Sequence, residues 1–398
     1  LNKHLNQFTK RVGHLQEEGA YAVLSQAQAL EAQGREIIHL EIGQPDFETF
    51  PNVSLAGVQA IATGQTRYTS PAGLPALRAA IAQDAGERRG ISVRPEQVII
   101  GPGAKPLIYF PVMALVEPGD EVIYPDPGFP SYRAIIQLAD GVPVPVPLLE
   151  ENDFSFDLAA LDAKIGPQTR LIILNSPSNP TGGIIPPKDL AHILRAAERY
   201  NCWILSDEIY LRLVYSGNEP GRAISIATLP GARERTIIMD GFSKTYAMTG
   251  WRLGFGIMPE PLAEKVGLLL THSTGCTATF TQLAGVEALT GPQEQVEAVR
   301  AEYQRRRNLI VAGLDAIPGV TCQTPQGAFY VFPNVRSFGL SSDKLANYLL
   351  NRAGVAVLPG TAFGEYGEGY LRLCYSNSSE RIQQALDRIA EALAKLAC

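Results

Sequence analysis

Between Val98 and Gly256, short apolar runs alternate with longer stretches in which apolar positions recur at helical spacing. The runs are Val98-Ile99-Ile100, Glu121-Val122-Ile123-Tyr124, Leu171 to Leu174, Trp203-Ile204-Leu205 and Ile237-Ile238-Met239. Each is bounded by Gly, Pro, Asp, Asn or Ser, and apolar runs of this length read as strands buried on both faces. A helical stretch to Leu115 follows the first run, and another over Leu190 to Tyr200 precedes the fourth. This β-α-β-α order predicts an α/β fold with a mostly parallel sheet between helices.

The flanks follow other patterns. The first thirty or so residues read as helical and mostly polar, with Ala22, Leu24 and Ala27 among the apolar positions. Ile37-Ile38-His39-Leu40 reads as a short strand entering the loop Glu41-Ile42-Gly43-Gln44-Pro45-Asp46, and Tyr68 to Gly73 is turn-rich. A helix is predicted from Pro75, with Leu74, Leu77 and Ile81 at helical spacing, ending at Gly90. Past Gly291-Pro292 the pattern shifts to a long charged helix through Arg300 to Arg307, strands at Gly327–Phe332, Val355–Leu358 and Gly369–Leu373, and a last helix with a stripe of Ile382, Leu386, Ile389, Leu393 and Leu396. That part predicts a smaller α+β domain. The expected division is a large domain over 48–290 and a small one from 1–47 with 291–398. No repeat or low-complexity linker interrupts the chain.

Bulk composition narrows the function. The chain has 398 residues, 45% hydrophobic and 19% charged, which suits two or three ordinary domains. With 34 basic against 40 acidic residues the net charge is −6, which argues against a nucleic-acid footprint. Cys202, Cys276, Cys322, Cys374 and Cys398 are scattered without a C-x-x-C pair, so neither a zinc site nor a disulfide framework is expected. The opening L-N-K-H-L-N-Q-F-T-K-R lacks a signal-peptide core, and no apolar run approaches membrane-spanning length. A cytoplasmic protein with reduced thiols is expected.

Ligands of open parallel sheets bind outside the carboxyl ends of the strands. Polar groups follow four predicted strands: Gly103-Ala104-Lys105, Asn175 through Asn179, Asp207 with Tyr210, and Ser243-Lys244. G-P-G-A-K before a helix points backbone N–H groups at an anion, although it is no Walker A loop and could be an ordinary turn. Asp207 could cap a helix, or hold a proton on a heterocyclic nitrogen. Lys244, among Gly, Phe, Ser and Met, is a surface lysine or a desolvated amine nucleophile. Phe129 could be core or could stack on a flat ring. Arg372, a charge in an apolar strand, needs a partner, either structural or a substrate carboxylate. Taken jointly, these groups ask for an aromatic ring bearing a phosphate, an aldehyde and a basic nitrogen, which is pyridoxal phosphate.

At S-K-T-Y-A-M-T-G-W-R-L-G and at N-S-P-S-N-P-T-G followed by S-D-E-I-Y, the sequence resembles the class I aminotransferases, fold type I pyridoxal-phosphate enzymes. The resemblance is collinear from about Gly43 to Ser376 and is nearest the bacterial aspartate and aromatic branch. It implies a large domain with a seven-stranded type of sheet. It implies that Lys244 forms a Schiff base with the cofactor and moves the substrate proton, and that Asp207 pairs with the pyridine nitrogen. Asn179 and Tyr210 would hydrogen-bond the ring hydroxyl, and Phe129 would stack on the ring, where many aspartate-type members have Trp. Gly103, Ala104, Lys105, Ser243 and Arg252 would gather on the phosphate. Tyr68 would reach the phosphate of a partner subunit, which implies a homodimer with shared active sites. Arg372 would bind the substrate α-carboxylate, with Gly43, Asn179 and Phe129 nearby.

The implied reaction moves the amino group of an L-amino acid to a 2-oxo acid such as 2-oxoglutarate. Dicarboxylate preference needs a further cation. In one branch of the family it resembles, an arginine of the partner subunit supplies that cation, and the segment L-T-H-S-T-G-C-T-A-T-F contains none. In another branch a lysine at the position of Lys105 does, so the resemblance implies that Lys105, with His272 as a further candidate, reads the distal carboxylate of an aspartate-type donor, an aromatic donor being the other option. The same fold and cofactor also serve lyases, synthases and oxidases. A ligand-sensing regulator would need a DNA-binding helix-turn-helix, and the segment before Glu41 shows none.

Overall fold

The computed structural model describes residues 8–13, 15, 17–215 and 224–396. Residues 1–7 of the polar opening and Cys398 lie outside the described residues.

The central sheet is built from β2 (Val98–Gly101), β3 (Glu121–Asp126), β4 (Val142–Leu149), β5 (Ser155–Phe156), β6 (Thr169–Asn175), β7 (Trp203–Asp207), β8 (Thr236–Gly241) and β9 (Gly254–Ile257), which follow a short β1 (Ile38–His39). Its order is β2-β9-β8-β7-β6-β3-β4-β5. The span from β4 through β3, β6 and β7 to β8 is parallel, while β9, β2 and β5 pair antiparallel at the two sides. The sheet therefore has eight strands rather than seven, the extra one being the two-residue β5. Residues of the inner strands are buried on both faces, as uninterrupted apolar runs require.

The sequence V-P-V-P-V-P of β4 shows how a strand tolerates proline where its outer side is unpaired, since β5 pairs only with Leu148 and Leu149. Neighbouring residues of a strand turn their backbone groups to opposite sides, and the proline positions face away from β3. Val142 N donates to Asp120 O on the β3 side, while Pro147 O accepts from Asp157 N on the outer side.

Helices cover the sheet. Pro75–Arg89 ends at Gly90, whose φ of 66° is the left-handed conformation a helix C-terminus favours. Pro106–Leu115 follows the β2 turn, and Pro187–Tyr200 leads into β7.

A second group of strands lies among the later elements: β10 (Tyr330–Val331), β11 (Val355–Ala356), β12 (Leu358–Pro359) and β13 (Leu371–Cys374). β1 pairs parallel with β11, and β13 sits between β10 and β12. The expected strand over 327–332 shrinks to two residues because Ala328 takes a left-handed φ of 59°. The expected strand over 355–358 splits at Val357. The helices Glu294–Asp315 and Ser379–Ala394 pack against these strands, the latter through Ile382, Leu386, Ile389 and Leu393, with Ser378 accepting from Arg381 N as its N-cap. Cys202, Cys276, Cys322 and Cys374 are free thiols. Among the described residues no helix is long and apolar enough to cross a membrane, and no His, Cys, Asp and Glu cluster could hold a metal ion.

Candidate active site

The carboxyl ends of the neighbouring strands β6, β7 and β8 bring Asn175, Asp207 and the Gly241–Lys244 turn together, with Asn175 directly opposite Asp207 in register. Asn175 organises the loop beyond β6. Its side-chain oxygen accepts from Asn179 N at 2.8 Å, and its amide donates to the Pro177 and Asp207 carbonyls.

Asp207 ends β7 and is buried. Its Oδ2 accepts from the Tyr132 hydroxyl at 2.5 Å and its Oδ1 from Ile209 N at 3.2 Å. Burial pushes the carboxyl up to about 7, and the nearby Asp240 and Glu208 add to the rise, against the two hydrogen bonds. Among the described residues no cation pairs with it. Arg89 engages the two neighbouring carboxylates: its Nε donates to Glu208 Oε2 at 2.7 Å and its Nη2 to Asp240 Oδ2 at 2.8 Å.

Lys244 follows β8 by three residues, and its Nζ donates to the Gly43 carbonyl at 2.7 Å. Burial draws its pKa down to about 8. Arg372 and Arg252 act in the same direction, while Cys374 and Asp207 oppose it. A lysine with this pKa is part neutral amine near neutral pH, the form that attacks an aldehyde.

Arg372 projects from β13 and is buried, 3% exposed. Its Nη2 donates to the Glu41 carbonyl, and its Nη1 donates to Asn179 Oδ1 at 3.3 Å. The guanidinium lies against the rings of Tyr330 (4.7 Å to the centroid) and Phe363 (5.0 Å). Its Nε is buried without a partner. A buried guanidinium with an open donor is suited to an incoming carboxylate.

The remaining site candidates divide into two groups. Gly103 has a φ of 93°, and a Cβ there would overlap the Arg252 guanidinium. A Cβ on Gly254 would overlap the Gly103 and Ala104 backbone, so glycine lets β9 and the β2 turn meet. Arg252 itself takes a left-handed φ of 54°, and its Nη1 donates to Thr249 O. Ser243 is buried beside Lys244. This turn, with Arg252, is therefore assembled by the fold. Phe129 meets Tyr132 edge to face at 5.6 Å, with Lys105 Nζ 5.1 Å above its ring. Lys105 also pairs with Glu18 at 2.9 Å. Two candidates stand apart. Tyr68 is 97% exposed, and His272 is exposed at the end of the helix Glu260–Thr271. An open cleft of about 760 Å³ lies beside the site, lined by Gln44, Phe47, Thr49, Trp251, Arg252 and Thr277 among others.

Three contributors escaped the sequence reading. Tyr132 sits in P-G-F-P-S-Y, three residues past Phe129, and only the fold brings it to Asp207. Tyr330 lies inside G-A-F-Y-V-F, and its hydroxyl meets that of Tyr210 at 2.7 Å. A Cβ on Gly43 would overlap that same hydroxyl, which explains glycine at this place. Glu18 comes from the opening helix region and carried no motif.

The arrangement is that of a fold type I transferase: a part-buried amine, a buried carboxylate without a cation, an anion-ready turn and a buried arginine with an open donor. Residues 35–389 match the family model described as aminotransferase class I and II, and the chain belongs to this family. It is 42% identical over 360 residues to an aspartate aminotransferase of Pyrococcus horikoshii, covering 90% of this chain and 91% of that one. It is 41% identical over 366 residues to aromatic-amino-acid aminotransferase 2 of Thermococcus litoralis, covering 91% and 93%. The solved aspartate aminotransferase of Thermus thermophilus with maleate superposes with a TM-score of 0.92 at 36% identity, over 98% of this chain and all of that chain (100%). The protein is an aminotransferase.

Proposed function

We propose that the protein is a pyridoxal-phosphate-dependent aminotransferase that takes the amino group of an L-amino acid, aspartate-type or aromatic, and passes it to a 2-oxo acid. One observation carries the reading. Lys244 and Arg372 both reach carbonyls of a single segment, at Gly43 and Glu41, two residues and so at most about 7 Å apart. The amine that would exchange with an amino group and the guanidinium that would grip a carboxylate are thus spaced for one α-amino acid.

The residues fit the cofactor. Asp207 is a buried carboxylate without a cation, suited to a protonated ring nitrogen. The Gly103-Ala104 turn with Arg252 and Ser243 suits a phosphate. When bound, pyridoxal phosphate supplies an aldehyde for the amino group and a ring that accepts electron density. The chain does the rest. Arg372 holds the α-carboxylate, with Asn179 at its Nη1. Lys244, with its lowered pKa, moves the proton at the substrate Cα. Tyr210 and Asn179 serve the ring hydroxyl, and Phe129 the ring face.

Lys105 is the cation we assign to a distal carboxylate, in exchange for Glu18. Relatives named for aspartate and for aromatic amino acids are consistent with either donor, and Phe129 in place of Trp leaves room for both. Tyr68, exposed in the single chain, is suited to reach a partner's phosphate in a homodimer. We further divide the chain into a large domain over 48–290 and a small domain of 1–47 with 291–398, and assign it to the cytoplasm on its free thiols.

The test is a half-reaction. Holoenzyme given one amino acid without acceptor should release one equivalent of 2-oxo acid and change absorbance, with no ammonia. Ammonia release would make it a lyase, and oxygen consumption an oxidase.

A further inference from the structure

The segment 39–43 carries a set of titratable groups that the roles above leave unused. His39 and Glu41 are two residues apart on an extended chain, so their side chains share a face. His39 Nδ1 lies 2.7 Å from Glu41 Oε1, and its Nε2 lies 3.1 Å from Glu31 Oε1, at the end of the helix Gly19–Glu31. The three form a line from solvent inward, with side-chain exposures of 41% for Glu31, 32% for His39 and 0% for Glu41. Both ring nitrogens face carboxylates, which calls for a proton on each. The other Glu41 oxygen, Oε2, is buried without a donor among the described residues. The His39 ring is thus the side chain that satisfies this buried carboxylate among the described residues.

Other charged groups near this segment are already engaged. Glu36 pairs with Arg381 and Arg388 of the last helix. Asn377 donates to the His39 carbonyl, and the neighbour on β11 is Ala356. Arg372 meets Glu41 at the backbone carbonyl. Among the described residues, the charged side chains on the His39 ring are Glu31 and Glu41.

We propose that Glu31, His39 and Glu41 form a positioning relay for the carboxylate-binding arginine: protonated His39 locks the Glu41 side chain, and this fixes the Glu41 carbonyl on Arg372. The inference rests on reading Arg372 as the arginine for the substrate α-carboxylate. None of the three side chains touches a reacting atom. They act through the Glu41 backbone.

The pH dependence has a definite sign. Burial disfavours the charge on His39, but Glu41 and Glu31 outweigh it and raise the pKa above the ordinary 6.5. The relay is complete below that value and is lost as pH rises through the raised one. Loss leaves Glu41 without its cation, the segment relaxes, and carboxylate binding weakens. Linkage demands the converse, that a carboxylate on Arg372 raises the His39 pKa further.

The test uses holoenzyme with 13C-labelled histidine. The sequence has five histidines, and the His39 resonance is the one missing in His39→Gln. Its midpoint should lie above 6.5 and rise by about 0.5 with saturating maleate or 3-phenylpropanoate, as a threefold affinity difference requires. In steady state, His39→Gln should raise KM for the amino donor about threefold or more at pH 6.5, keep kcat within about twofold, and abolish the rise of KM over the His39 titration. Glu31→Gln, at the solvent end, should fold normally and lower the His39 midpoint. A midpoint blind to both carboxylates, or a KM profile in His39→Gln parallel to wild type, overturns the relay. Arg372→Lys separates the two claims. If it raises KM while His39 ignores the ligand, the relay alone fails; if it leaves KM unchanged, the Arg372 reading fails and the relay falls with it.

Discussion

Tyr132 donates its hydroxyl to Asp207 Oδ2 at 2.5 Å, and both side chains are buried. Burial and the neighbouring carboxylate hold the tyrosine pKa well above 10, so it remains a donor. It favours the charged form of an Asp207 that burial otherwise pushes up to about 7. Tyr132→Phe removes that donor while keeping the ring that packs on Phe129. A hydrogen bond to a charged group is worth about 1.5–3 kcal/mol. Cofactor affinity, measured by absorbance titration, should therefore weaken about tenfold or more, most at low pH where Asp207 protonates first. Unchanged affinity across pH would separate Asp207 from the cofactor.

Lys105 gives a test of substrate choice. Its amine pairs with Glu18 at 2.9 Å and lies over Phe129, and its side chain is about half exposed. If it reads a distal carboxylate, Lys105→Ala should lower kcat/KM for aspartate by about tenfold, the worth of a charged hydrogen bond, and change that for phenylalanine by less than about threefold. Equal losses for the two would assign Lys105 to the phosphate alone.

The exposed Tyr68 predicts complementation between chains. Mixing Tyr68→Ala with Lys244→Ala chains, each inactive or weak, should recover about a quarter of wild-type activity, as random pairing of two-site dimers requires. No recovery after verified subunit exchange would place Tyr68 outside the partner's site.

Behind the site, Arg89 joins Glu208 of the β7 end to Asp240 of β8, with Ser206 and Ser225 donating to Glu208 Oε1. The arginine side chain is 1% exposed. Arg89→Met strands the buried Glu208 and the part-buried Asp240 and should cost about 3–5 kcal/mol in urea unfolding. Burial pushes Asp240 up to about 6 even with Arg89 present. A carboxyl raised in the folded state costs stability as pH climbs from its unfolded value toward the folded one, so the Arg89→Met loss should be greater at pH 8 than at pH 5. A loss below about 1 kcal/mol at pH 8 would show that the network relaxes or hydrates.

The inner strands of the sheet were legible in the sequence because burial on both faces leaves nothing but apolar side chains, as in Leu171 to Leu174 and Ile237 to Met239. β4 was not, because its alternating prolines mark a turn-rich segment by local rules, and only the unpaired outer side of 142–147 makes them tolerable. Gly254-Phe255-Gly256-Ile257 was hidden by glycines that serve the close approach of β9 to neighbouring chain. The helix Thr279–Thr290 lacks a charged face and so has no clear amphipathic stripe. At the site, groups on strand ends such as Asn175, Asp207 and Lys244 announced themselves by position after an apolar run. Their supports did not. Tyr132 reaches Asp207 across 75 residues and Tyr330 reaches Tyr210 across 120, and no local pattern encodes a contact made only by the tertiary fold.

The most direct test of the account is where the cofactor bonds. The protein incubated with pyridoxal phosphate, reduced with borohydride and digested should carry a pyridoxyl group on the peptide containing Lys244, and Lys244→Ala should show neither the adduct nor the coloured absorbance band. Reduction that labels another lysine, or a Lys244→Ala protein that still forms the adduct and turns over amino acid, would contradict it.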